Sequence, residues 1–172
     1  MRLYRYASAA TGGRPRLGAA APGGPVVDLA EAWRPVHGAP APDACSSGST
    51  ILLIGEGRAV WAMAEEAAGA APPGARVDVR SGGFRWLCPL DRLASLRDFL
   101  AFEDHVRAGA QRKGTDVPAY WYEAPVYYKG NHRQVIGPDE ACPWPAYSRQ
   151  LDFELEIEAI GVLRNTMGAP PD

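Results

Sequence analysis

The spacing of apolar residues changes period several times along these 172 residues, and each change marks an expected element. Met1 to Tyr6 alternates at the two-residue period of a strand. After the Gly12-Gly13 pair, Arg14 to Gly18 reads as a second short strand and Pro25 to Leu29 as a third. Asp28 is placed to cap the turn Leu29 to Trp33. His37 to Thr50 is rich in Pro, Ala, Gly and Ser and reads as a loop, with His37 in solvent. Ile51 to Ala68 has the apolar and alanine content of a helix whose first turns are broken by Gly55 and Gly57. Val77 to Arg80 reads as a strand. Phe84 to Leu90 is an aromatic and apolar run directed into the core.

From Leu96 to Val106 the apolar residues Phe99, Phe102 and Val106 recur at helical spacing, and Asp98 and His105 stand seven residues apart. Seven residues is close to two helical turns, so both polar groups are expected on one side of a helix. Gly109 to Tyr120 reads as a polar loop with Arg112, Lys113 and Asp116 exposed. Tyr120 to Lys129 is dense in aromatics, the composition of a core-filling strand with hydrogen-bonded hydroxyls. Gly130 to Arg133 reads as a turn with His132 exposed. Leu151 to Glu158 alternates strictly: Leu151, Phe153, Leu155 and Ile157 on one face of a strand, Asp152, Glu154, Glu156 and Glu158 on the other. Carboxylates about 6.6 to 6.8 Å apart on one face repel unless positive charge lies among them. A divalent cation, Lys and Arg from neighbouring strands, or solvent each relieves that repulsion.

Composition narrows the class. A net charge of −2 gives no electrostatic reason to expect nucleic acid or an anionic membrane as partner. No apolar run reaches the ~18 residues of a membrane-spanning helix and no leader pattern opens the chain, so a cytoplasmic location is expected. Three cysteines, Cys45, Cys88 and Cys142, are scattered without disulfide or zinc-ligand spacing. The boundary between a small first domain, 1–90, and a second, 91–172, is expected near Leu90.

Several blocks, taken in order, carry a resemblance. Arg97-Asp98-Phe99, Phe102-Glu103, His105-Val106, Trp121-Tyr122-Glu123, Pro125-Val126, Tyr128, Gly137-Pro138 and Leu151-Asp152-Phe153-Glu154-Leu155-Glu156-Ile157 resemble the fumarylacetoacetate hydrolase family. The likeness is dense from Leu96 to Ile157 and weaker before it. It implies a β-rich α+β fold: a small N-terminal β unit followed by the first part of a mixed β-sheet catalytic domain. It also implies a metal-dependent hydrolase, lyase or isomerase of a β-diketo or acylpyruvate-like acid, of the kind used in aromatic compound catabolism. By position in the motif, Asp98, Glu154 and Glu156 are expected to bind a divalent metal, Mg²⁺ or alternatively Mn²⁺ or Ca²⁺. His105 is expected to activate water, and Tyr128 to contact substrate. A homodimer is expected of the complete enzyme.

The end of the chain departs from the family. Glu158 stands where members continue with small apolar residues, and Gly161 to Asp172 does not resemble the expected continuation, which supplies a further aspartate, a lysine and most of the sheet. The expectation is therefore a truncated form with little activity alone. From another class stands the alternative of a non-catalytic interaction protein whose acidic strand face is merely solvated; metal titration discriminates the two.

Overall fold

The computed structural model describes residues 1–150 and the backbone of 166–167. The chain divides into two compact units, the first holding Met1–Arg92 with residues 136–150 and 166–167, the second Leu93–Val135.

In the first unit, β1 (Arg2–Ala7), β2 (Arg16–Ala20), β3 (Val27–Asp28) and β4 (Arg85–Trp86) form an antiparallel sheet of order β3-β2-β1-β4. The strand period sorts the side chains. Leu3 lies across from Ala19 and Arg5 across from Leu17, and this parity faces the core. Tyr4 and Tyr6, across from Gly18 and Arg16, take the other face. Arg5 is tolerated on the core side because its guanidinium donates to two carbonyls, Gly48 O at 2.7 Å and Cys88 O at 2.8 Å.

Helices cover the core face: α1 (Leu29–His37), α2 (Asp43–Ser47), α3 (Thr50–Gly55) and α4 (Arg58–Ala70). Asp28 caps α1, accepting the Glu31 amide at 3.0 Å. The α3/α4 break falls at Gly57, whose φ of 85° suits only glycine well. Ala64, Ala67 and Ala68 are buried on one stripe of α4, and α4 packs against α1. Leu17, Leu29, Trp33, Cys45 and Leu53 fill the space between the layers.

Four expectations for this unit are corrected. Helices make up more of it than strands, because the Ala-rich and Ser-capped segments after Asp28 have a sheet face to cover. Part of the expected loop 37–50 is the helix α2, and His37 ends α1 with its side chain only 9% exposed, its Nε2 2.9 Å from Met63 O and its ring against Trp33. Val77 to Arg80 is no strand: Asp78 accepts the Arg80 amide at 2.9 Å and closes a turn. Phe84, Trp86 and Leu87 are half-buried beside the sheet rather than in the core.

In the second unit the chain runs β5 (Leu96–Phe99), α5 (Glu103–Lys113), α6 (Tyr120–Glu123) and β6 (Tyr127–Gly130), with β5 and β6 antiparallel. The helix expected over Leu96 to Val106 is thus half strand. Phe99 faces Tyr127 across the ladder, ring centroids 5.1 Å apart, and Arg97 lies 5.2 Å over the same ring. That pairing outweighs a helical spacing in which Phe102 stays 76% exposed. The helix begins where the charges favour it, with Glu103 and Asp104 in the first turn and Arg112 and Lys113 in the last, and ends at Gly114 with φ 66°. It consumes the first half of the segment expected as a loop. The Tyr120 to Lys129 run is a short helix and an edge strand, and Tyr120, Tyr122, Tyr127 and Tyr128 are all exposed. Among the described residues of this unit Ala110 alone is buried.

Returning to the first unit, β7 (Ala141–Cys142) pairs in parallel with β8 (Thr166–Met167). Gly137 is buried where a Cβ would approach Trp86 O to 2.8 Å, so only glycine lets this segment lie along β4.

Candidate active site

The β5–β6 ladder carries two of the residues singled out in sequence. Its register sets Leu96 across from Gly130, Arg97 from Lys129, Asp98 from Tyr128 and Phe99 from Tyr127. Residues directly opposite share a face with Cβ atoms about 4.5–5.5 Å apart, so Asp98 and Tyr128 stand side by side. Gly130 has no side chain to crowd Leu96 on that same face, where a Cβ would come within 2.8 Å of Leu96 Cδ2. Asp98 is half-buried and makes no hydrogen bond or ion pair among the described residues, while Tyr128 is 69% exposed. A carboxylate with free lone pairs beside a free phenol can bind a hard cation and offer a hydrogen bond to an oxygen held near it.

His105 takes another place. It lies in the first turn of α5, exposed, on the lining of a cleft of about 620 Å³ whose other walls include Val106, Ala110, Trp121 and Val126. Asp98 and Tyr128 are not among those walls. Because Asp98 is on a strand, the expected placement of Asp98 and His105 on one side of a single helix does not hold.

Hydrogen bonds fasten α6 against the residues preceding and opening α5. Trp121 Nε1 donates to Leu100 O at 2.9 Å, and the Tyr122 hydroxyl donates to Glu103 Oε1 at 2.8 Å. Glu103 also pairs with Arg107 one turn along. The hydrogen bond to Glu103, with a small share from desolvation, holds the Tyr122 hydroxyl above its ordinary pKa. Trp121, expected in a core strand, lies instead on the short helix α6 as a wall of the cleft.

The first unit holds a second polar cluster, around Asp28. Its carboxylate accepts from Arg16 Nε at 2.9 Å, Arg16 Nη2 at 2.8 Å, the Tyr6 hydroxyl at 2.5 Å and the Glu31 amide. Burial first, then the hydrogen bond to Asp28, drives the Tyr6 hydroxyl far above its usual range. Every lone pair is used, so the cluster is a fastening between sheet and α1.

Of the three expected metal ligands only Asp98 is among the described residues, and no group of three or more His, Cys, Asp or Glu converges among them. Glu154 and Glu156, and with them the expected acidic strand, lie outside the described residues. Asp98 has the ligand chemistry and the vacancy in its hydrogen bonding that such a site requires of one of its members. Among the described residues no helix is long and apolar enough to cross a membrane.

Residues 95–165 match the family described as fumarylacetoacetate (FAA) hydrolase C-terminal. No curated protein matches the chain. The match begins one residue before β5 and takes in α5, α6 and β6, with Asp98, His105 and Tyr128 inside it. Over residues 95–165 the chain is similar to the fumarylacetoacetate hydrolase family.

Proposed function

We propose that the chain is a metal-dependent hydrolase or lyase-type protein that cleaves a carbon-carbon bond in a β-diketo or acylpyruvate-like acid. The observation that supports this reading is the ladder that sets Asp98 directly across from Tyr128, within the family segment and with the Asp98 carboxylate unpartnered among the described residues. Asp98, together with Glu154 and Glu156, would hold Mg²⁺, or alternatively Mn²⁺ or Ca²⁺; such a cation supplies Lewis-acid polarisation of the substrate oxygens when bound.

The remaining work falls to the chain's own groups. The Tyr128 hydroxyl donates a hydrogen bond to a substrate oxygen and fixes its orientation. Neutral His105 accepts a proton from water as the water oxygen bonds to the carbonyl carbon. The electron pair of the broken carbon-carbon bond stays on the α-carbon of the departing fragment, which takes back one proton. One water is consumed and two acids leave.

Paramagnetic Mn²⁺ tests this assignment at low affinity. Added to the full chain, it should broaden the amide resonances of Asp98 and Tyr128 together, and Asp98→Asn should remove that effect. Acetylpyruvate loss, followed by its enol absorbance, should fall by about 10² to 10⁴-fold in His105→Ala with the broadening retained. Broadening that bypasses β5 and β6 would sink the metal assignment. Loss of broadening in His105→Ala would make His105 a ligand instead.

A further inference from the structure

The cleft beside His105 is much larger than the small diketo acid of the reaction requires. Its volume of about 620 Å³ falls in the range of sites that enclose a whole drug-sized ligand, about 300–1,000 Å³. Val106, Gly109 and Ala110 of α5 form one wall, and Pro118, Trp121 and Val126 form the other. The Trp121 indole spends its one donor on Leu100 O, so it offers the cleft only an apolar surface. The lining's charge is cationic on balance: Arg112 and Lys113 make no ion pair among the described residues, against one carboxylate, Asp116. An open, largely apolar cleft bordered by cationic side chains suits an organic anion with a bulky apolar end.

Building on His105 as the base of the proposed reaction, we infer that this cleft receives the acyl substituent of the substrate and selects for long-chain or aromatic acylpyruvates over acetylpyruvate. Gly109 is the gate to a clean test. It is half-buried on the α5 wall, and a Cβ built there meets nothing within 4 Å. A larger residue therefore grows into open space, and replacing glycine inside a helix favours the helix. Gly109→Leu narrows the cleft from its α5 wall, at a position where the added Cβ meets no neighbour within 4 Å.

Binding, rather than turnover, is the readout. Acetylpyruvate, hexanoylpyruvate and benzoylpyruvate are titrated into the full chain with Mg²⁺ present, and acetate and hexanoate are titrated in parallel. Each buried methylene tightens binding by up to about fourfold, so hexanoylpyruvate should bind at least about tenfold tighter than acetylpyruvate. Gly109→Leu should erase that gain, bringing hexanoylpyruvate and acetylpyruvate within about twofold of each other, while Gly109→Ala keeps most of the gain. If the acylpyruvates fail but hexanoate binds better than acetate in a manner lost in Gly109→Leu, the chamber stands and the proposed reaction falls. Affinity independent of chain length in both series, or an equal loss for short and long ligands in Gly109→Leu, overturns the inference.

Discussion

Removing the Asp28 carboxylate should cost the first unit much of its stability. Asp28 is 5% exposed and satisfies three partners at once: the cap of α1, the Tyr6 hydroxyl and the Arg16 guanidinium. Loss of an N-cap costs about 1 kcal/mol. An orphaned buried hydroxyl costs about 1–3 kcal/mol. A fully buried charge left without its partner costs about 3–5 kcal/mol. Arg16 does not suffer that in full, since its side chain is 20% exposed and Nη2 still reaches Glu31 Oε1 at 3.0 Å. The three losses share one network and do not add. Asp28→Ala should therefore destabilise by about 3–5 kcal/mol, a large part of the ~5–15 kcal/mol that holds a domain. Asp28→Asn can keep the Oδ1 cap of Glu31 but puts an amide donor where Oδ2 accepted from the Tyr6 hydroxyl and Arg16 Nε, and should cost somewhat less than Asp28→Ala. Urea unfolding followed by near-ultraviolet circular dichroism is the assay, because Trp33 is 2% exposed on the helix that Asp28 caps. A double-mutant cycle with Arg16→Met should return a coupling above about 1 kcal/mol. A cost for Asp28→Ala below about 1 kcal/mol, or a coupling near zero, would refute the network as a fastening.

Three further outcomes are expected. Burial pushes the Asp91 carboxyl up, but the Ile51 amide and the Ser49 hydroxyl outweigh it and hold the group below its ordinary pKa. Its stabilisation is then complete above the unfolded value of about 3.9 and lost as pH falls through the lower folded value, so Asp91→Asn should be less stable than wild type at pH 7 and indistinguishable at the acid end of a pH series of thermal melts. Gly48 and Gly23 both have positive φ, 67° and 72°, but a Cβ at Gly48 would lie 2.5 Å from the Pro15 carbonyl carbon while one at Gly23 meets nothing within 4 Å. Gly23→Ala should cost about 1 kcal/mol in denaturant melts and Gly48→Ala about 3 kcal/mol or more. Burial, with a contribution from Asp28, pushes the Cys45 thiol up to about 12, so at pH 8 an aromatic disulfide reagent should modify the half-buried Cys88 and Cys142 and reach Cys45 only on unfolding.

Strand period and glycine breaks were legible in the first unit: β1, β2 and β3 fall at or within two residues of the alternating segments, Asp28 caps α1, and the helix after Ile51 breaks at Gly57. What was not legible came from partners distant in sequence. His37 looks solvated beside Gly38, yet α4 brings Met63 O to its ring. The tyrosines from Tyr120 to Tyr128 look like core because aromatics usually fill cores, but the second unit buries only Ala110 among its described residues and leaves them on its surface.

The misread stretch is the one that bears on the site. Leu96 to Val106 satisfies two periods at once: Phe99, Phe102 and Val106 fit a helix, while Leu96 to Phe99 taken alone is four residues free to pair with Tyr127 to Gly130. Local spacing cannot choose between them, since the deciding contacts, Phe99 on Tyr127 and Arg97 over the same ring, lie about thirty residues away. Once the ladder wins, the seven-residue interval between Asp98 and His105 no longer measures a helical face. It measures instead a strand end, the connecting residues 100–102 and one helical turn. The candidate ligand and the candidate base then belong to separate elements: Asp98 is oriented by its pairing with Tyr128, and His105 by a helix that Tyr122 and Trp121 fasten through Glu103 and Leu100. In the proposed reaction, water activation and substrate orientation would accordingly rest on different contacts. A change at the Tyr122–Glu103 bond bears on the helix that carries His105 without touching Asp98, and a change at Tyr128 does the reverse. Strand pairing therefore accounts both for the failure of the helical expectation and for the division of labour that the proposed chemistry requires.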